Sequence, residues 1–313
     1  MQNQIAATEQ RGAAPRDAGR IVCPRDWRRR SGPEISIMNA IASFFRGPFY
    51  IALYTYREGM RRKLLIGFLV LSLLVIFGSS FVSSFLDPTS ETDIDLKLIK
   101  DICVTAIAIF GVLIAIYISA SVVPNEIENK VIYTVLSKPV GRMQYLLGKF
   151  VGAQFIIIVN LALMGGLFFM ALYLRQGVMP TLLLWSILLT YFEFLIVSSF
   201  TFAVSCAATS SLVPILGGLF IYITGNLTEY LKDVENRAGQ TGEWLDNMIG
   251  YIASALYAVL PNLQNFSLKM QIVTGQPNDP PADVLIPSLL LYGFLYGLAG
   301  FLCAYVVFWR KEV

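Results

Sequence analysis

The chain has 313 residues, 56% of them hydrophobic and only 14% charged, with a mean hydropathy of +0.62; this balance excludes a soluble domain and reads as a multi-pass membrane protein. The formal charge of +3 is too small, and its cations too dispersed, for a reader of nucleic acid. Histidine is absent, which excludes a His-ligated zinc, copper or haem site and a His general base.

Residues 1–39 are polar, with Arg11, Arg16, Arg20 and Arg25 set among Gly, Pro and Ala. They are predicted to be a disordered extension, because no apolar periodicity could bury a core there. No apolar run precedes a small-residue cleavage site, so the stretch does not read as a secretory signal. Met38 is a candidate translation start. Residues 40–63 then carry Phe44, Phe45, Phe49, Tyr50, Tyr54 and Tyr56, followed by Arg57, Arg61, Arg62 and Lys63. Aromatic rings favour the headgroup level and cations the cytoplasmic side, which predicts a surface helix leading into the first crossing.

Six apolar runs are long enough to cross about 30 Å of hydrocarbon, which takes roughly 20 residues. They lie at about 64–86, 102–123, 150–174, 181–206, 212–231 and 285–309, within one membrane domain spanning 40–313. An even number places both termini on one side. The loops then expected inside hold Arg57, Arg61, Arg62, Lys63, Lys130, Lys138, Arg142, Lys149, Arg310 and Lys311, while the loop at 87–101 carries five acids and two lysines. The Lys/Arg bias therefore predicts cytoplasmic termini.

Between the second and third crossings lies a charged amphipathic stretch, residues 124–149. Asn125 with Glu128 three residues later makes a capping-box pattern, and Glu126 and Glu128 suit the positive end of a helix dipole. Ile127, Val131 and Val135 recur every four residues beside Ile132 and Leu136, and Glu126 is spaced to pair with Lys130. Pro139 and Gly141 stop the pattern. A short helix that cannot span the membrane is predicted, lying on its surface or in a partner's groove.

Glu193 is the one acid well inside a predicted crossing, and it shares a helical face with Ser186, Thr190 and Thr201. A carboxylate in hydrocarbon is costly, so this face should turn toward the bundle or a wet cavity, as a substrate path, a proton site or a packing contact. Ser72, Ser79, Ser80, Ser83, Ser84 and Asn160 read first as helix-contact residues or donors to their own backbone. Gly148 with Gly152, and Gly293 with Gly297, are GxxxG pairs, weak signals for a dimer seam. The cysteines, Cys23, Cys103, Cys206 and Cys303, have no metal or redox spacing, and the last three read as packing residues in apolar runs. The segment 232–284 is the largest external one, with a helix predicted over about 244–260 and closed by Pro261 and Asn262. No phosphate-cradling GxxxxGK followed by Ser or Thr is present, so ATP is not expected to bind this chain by that route.

Glu126, Glu128, Thr134, the run Leu136, Ser137, Lys138, Pro139 and the run Tyr145, Leu146, Leu147, Gly148, Lys149 resemble the signature cytoplasmic segment of the type-2 ABC exporter permeases. LPNLQNF and IYITGNLTEYLKD are similar to further family features, with Asn226 where many relatives carry histidine. The resemblance covers most of 40–313. It implies an all-α, six-span membrane protein with an N-terminal elbow helix and a cytoplasmic coupling helix, in which Asn125, Glu126, Glu128, Lys130, Thr134, Lys138 and Pro139 dock on a separate ABC ATPase subunit. On that reading the partner binds ATP and Mg, and this chain is a permease with no cofactor and no enzymatic step of its own. It would pair with a second permease subunit, identical or different, in the lipid bilayer of a bacterial cytoplasmic membrane. Two other classes stay open: a proton-driven secondary transporter using Glu193, which would work without an ATPase and usually carries an inverted repeat, and a non-transporting membrane assembly factor.

Overall fold

A computed structural model describes residues 33–82, 92–128, 141–176, 181–228, 261–266 and 282–310. The chain divides into two units, Met1–Ser43 and Phe44–Val313. To the described residues the first contributes only the beginning of α1; all contacts below lie in the second.

The described residues are helical, with no strand among them. The elements are α1 (Pro33–Met60), α2 (Lys63–Val82), α3 (Thr92–Ser121), α4 (Pro124–Glu128), α5 (Arg142–Gln176), α6 (Thr181–Ala207), α7 (Leu212–Asn226), a 3-10 turn (Gln264–Phe266) and α8 (Ala282–Arg310). α1 begins at Pro33, inside the stretch expected to lack structure. Proline is suited to the first helical position because its missing N–H would be unpaired there anyway. Residues 1–32 lie outside the described residues, as does the helix expected over 244–260.

Among the described residues four helices are long and apolar enough to cross a membrane: Lys97–Glu128 taken through its turn, Arg142–Tyr173, Leu183–Ala207 and Ile286–Arg310. Gly47–Met60 and Lys63–Ser79 pass the same test together, but they are bent by 65° at Arg61 and Arg62 and count as one broken crossing, making five. Of the fifth expected crossing, 212–231, residues 229–231 lie outside the described residues. α7 stops at Asn226 after 15 residues, about 22 Å of helix, short of the hydrocarbon thickness.

α6 is the centre of the bundle, packing against α3, α5, α7, α8 and the 261–266 turn. It is apolar nearly all round, as a helix enclosed by neighbours must be, and Phe194, Ile196, Val197 and Phe202 are fully buried on it. Both GxxxG pairs are used inside this chain. A Cβ at Gly148 or Gly152 would lie 2.7 or 2.8 Å from the carbonyl oxygens of Pro48 and Ala52, so these glycines let α1 and α5 touch backbone to backbone. Gly293 and Gly297 likewise admit Phe192 and Leu195 of α6 against α8. Ser72 and Ser79 donate to the carbonyls of Leu69 and Ile76, and Asn160 to that of Ile156, each within its own helix.

Candidate functional site

The amphipathic stretch enters the structure through a tight turn. After Ser121 the chain turns at Val122 and Val123, and the Val123 carbonyl accepts the amides of Glu126 (3.1 Å) and Ile127 (3.2 Å). The helix therefore starts at Pro124, not behind an Asn125 cap. Asn125 sits at its second position, where its Oδ1 accepts the Ser211 hydroxyl at 3.2 Å.

This start fixes where the two acids point. Glu128 is exposed, while Glu126 is only 4% exposed and turned into the bundle. Tyr145 and Lys149, four apart on one face of α5, both reach it: the Tyr145 hydroxyl donates to one carboxylate oxygen and the Lys149 ammonium to the other. Both oxygens of Glu126 are engaged by α5, and Lys130 lies outside the described residues. Lys149 is 2% exposed, its Nζ also lying 5.3 Å from the centre of the Tyr54 ring. Tyr145 in turn stacks on Phe308 of α8 at 6.0 Å.

A second charged contact adjoins the first. Arg62, in the break between α1 and α2, donates to Glu58 at 2.9 Å and to the Ser121 hydroxyl at 2.8 Å. A cavity of about 10 Å³ between the two contacts is lined by Thr55, Glu58, Arg62, Ser121 and Lys149 among others. It has room for about one water among polar partners. The Glu126–Lys149 pair thus joins the start of α4 to the start of α5, and Arg62, paired with Glu58 of α1, reaches the end of α3 through the Ser121 hydroxyl. The Glu126–Lys149 pair, nearly fully buried, is costly to separate, since removing one partner leaves an uncompensated buried charge.

The other sequence-selected group lies on α6. Glu193 is 6% exposed, and the side chain of Asn226, the last residue of α7, lies near its carboxyl. Ser186 and Thr201 are buried on the same face and Thr190 is half-buried. The hydroxyls of Thr190 and Thr201 donate to the carbonyls of Ser186 (2.8 Å) and Val197 (2.7 Å) of their own helix. Residues 129–140, and with them Lys130, Thr134, Lys138 and Pro139, lie outside the described residues. Among the described residues no group of three or more His, Cys, Asp or Glu side chains could hold a metal ion.

Three sets of partners were not chosen from the sequence: Lys149 and Tyr145 for Glu126, Ser211 for Asn125, and Asn226 for Glu193. Only the first had a local signal, an i,i+4 Tyr and Lys opening an otherwise apolar helix. A family model described as ABC-2 family transporter protein matches residues 50–313, a range that takes in both groups of residues. A comparison with curated proteins finds no match.

Proposed function

This chain belongs to the ABC-2 family of transporter proteins, and we propose that within it the chain is the permease subunit of an ATP-driven exporter. The ATPase is a separate polypeptide that binds ATP and Mg, and the export path forms where this bundle meets a second one, identical or different. The chain crosses the membrane six times, α7 and the residues after it making the fifth crossing. Both termini and the stretch 124–149 face the cytoplasm, in keeping with their Lys and Arg content, in the cytoplasmic membrane of a bacterium.

The observation that carries this reading is the buried Glu126 held by Lys149 and Tyr145. The stretch 124–149 meets the ATPase through its exposed residues, Glu128 among them, and through Lys130, Thr134, Lys138 and Pro139. Glu126 does not touch the ATPase; it anchors the segment to α5. A displacement imposed from the cytoplasm therefore moves α4, α5 and the end of α3 as one body, because breaking the pair costs about 3 to 5 kcal/mol and rigid-body motion of packed helices costs less. The α6 face bearing Ser186, Thr190, Glu193 and Thr201 is the lesser candidate for the path, since two of its hydroxyls are already held by their own helix.

Purification of the full chain from its native membrane tests the partnership. An ATPase chain is expected to co-purify in stoichiometric amount, and to be lost with Glu128→Arg while the permease stays folded. An unchanged ATPase content in that variant, or transport by the purified chain with no ATPase present, would contradict the proposal.

A further inference from the structure

We propose that a groove between α5 and α8 holds one acyl chain of an anionic phospholipid whose phosphate is bound by Arg142 and Arg310. The binding needs neither nucleotide nor a moving segment, so it does not rest on the coupling role given above to the 124–149 stretch.

α5 and α8 meet at one end of the bundle. There Tyr145 stacks on Phe308 with ring centres 6.0 Å apart, and one to two turns further along each helix Phe150 packs on Phe301 at 5.2 Å. At this seam lies a groove of about 240 Å³. Leu147 and Phe150 of α5 line one side and Phe294, Leu298 and Phe301 of α8 the other, with the half-buried Leu195 of α6 between them. Gly297 completes the lining and contributes no side chain of its own. Phe294 and Leu298 are 57% and 44% exposed, so the groove opens on the surface that hydrocarbon covers. Every side chain lining it is apolar, and such a space stays dry and accepts an apolar guest. A chain of methylenes is narrow enough to enter. A helix of a second copy, about 10 Å across with its side chains, would cover the groove without filling it.

Charge decides which lipid. The Tyr145–Phe308 stack sets the start of α5 beside the end of α8, and each helix carries an arginine there: Arg142 opens α5 and Arg310 closes α8. Both are exposed. The ion pairs among the described residues are Arg62–Glu58 and Lys149–Glu126, so no carboxylate of those residues neutralises either arginine. Trp309, next to Arg310, is 67% exposed, as suits an indole at the headgroup level. The helix rises about 12 Å from Arg142 to Phe150 and about 14 Å from Phe301 to Arg310. A phosphate at the arginines therefore stands at the surface of the bilayer, and a chain descending from it reaches the groove. Guanidinium groups bind phosphate oxygens in a bidentate fork, and the unpaired amides of the first turn of α5 add to the positive charge. A zwitterionic lipid brings its own cation to the same place and gains less.

Native mass spectrometry of the purified full chain, with whatever subunits co-purify, reads this when phosphatidylglycerol and phosphatidylcholine of identical chains are offered in equal amount. One phosphatidylglycerol per chain is expected to be retained, with a preference over phosphatidylcholine of about fivefold for each arginine engaged. Arg142→Gln with Arg310→Gln should bring the two lipids level, and Arg142→Lys with Arg310→Lys, which keeps the charge, should retain most of the preference. Leu298→Trp, which fills the groove, should lower retention of both lipids. Leu302→Trp, one turn along α8 and as exposed but outside the groove, should change neither. Equal retention of the two lipids by the parent, or an unchanged preference in the double glutamine variant, overturns the inference. So does a Leu298→Trp variant that keeps its lipid and loses a second permease chain, which would make the groove the seat of another copy.

Discussion

Each oxygen of the Glu126 carboxylate meets a donor from α5, and the donors differ in kind: a phenol at Tyr145 and an ammonium at Lys149. The ammonium balances the charge, so its loss matters more. Lys149→Met, which keeps the stem and removes the charge, is expected to destabilise the protein by about 3 kcal/mol or more, whereas the double change Lys149→Met with Glu126→Leu should recover most of that because no lone charge remains buried. Thermal unfolding in detergent decides between them; two equal drops would mean that Glu126 is not buried against Lys149. On α6, Glu193→Gln keeps a polar group opposite Asn226 and should unfold within about 1 kcal/mol of the parent, while Glu193→Leu leaves Asn226 facing apolar surface and should lose about 1 to 3 kcal/mol. The chemistry of these residues was legible in the sequence and their partners were not. An acid inside an apolar run needs a partner, but Asn226 is brought to Glu193 by the packing of α7 on α6. The partners of Glu126 on α5 were hidden because nothing local tells that Pro124 opens the helix and rotates Glu126 inward.

Among the elements, α6 could be read almost to its ends, since its apolar run is continuous and Gly177 and Pro180 punctuate its start. The end of α7 was less legible: nothing local says that donors to its last turn come from Asn226, Thr228 and Leu263. The GxxxG pairs were visible but not their use, because a small-residue stripe does not say which helix it admits. Their use can be checked. Gly152→Val sets a branched side chain against the Ala52 carbonyl and the Thr55 Cβ, each 2.8 Å from the new Cβ, and should separate α1 from α5 at a cost of about 1 to 3 kcal/mol or more. Gly67→Ala meets nothing within 4 Å and should stay within about 1 kcal/mol of the parent. Limited proteolysis near residues 61–62 should distinguish the two, with faster cleavage only in Gly152→Val; equal rates would place the α1 seam elsewhere.

For the whole molecule, composition was enough to announce helices in a membrane, and family membership supplies the transporter. On the proposed coupling the arrangement supplies the means of transmission: the Glu126–Lys149 pair joins α4 to α5 and Arg62 reaches Ser121 of α3, while α6 holds α7, α8 and the 261–266 turn around itself. Because the Glu126 pair is buried, coupling should be nearly insensitive to ionic strength, unlike the exposed contact at Glu128, which salt screens. The most direct measurement is Mg-ATP hydrolysis by the purified complex in lipid, compared among the parent, Glu126→Gln, and the exchange Glu126→Lys with Lys149→Glu. The account predicts that Glu126→Gln retains the ATPase subunit but loses most of the hydrolysis that depends on the permease, and that the exchange, which rebuilds the pair in reverse, recovers a substantial part of it. Full hydrolysis in Glu126→Gln with the ATPase still bound would contradict it.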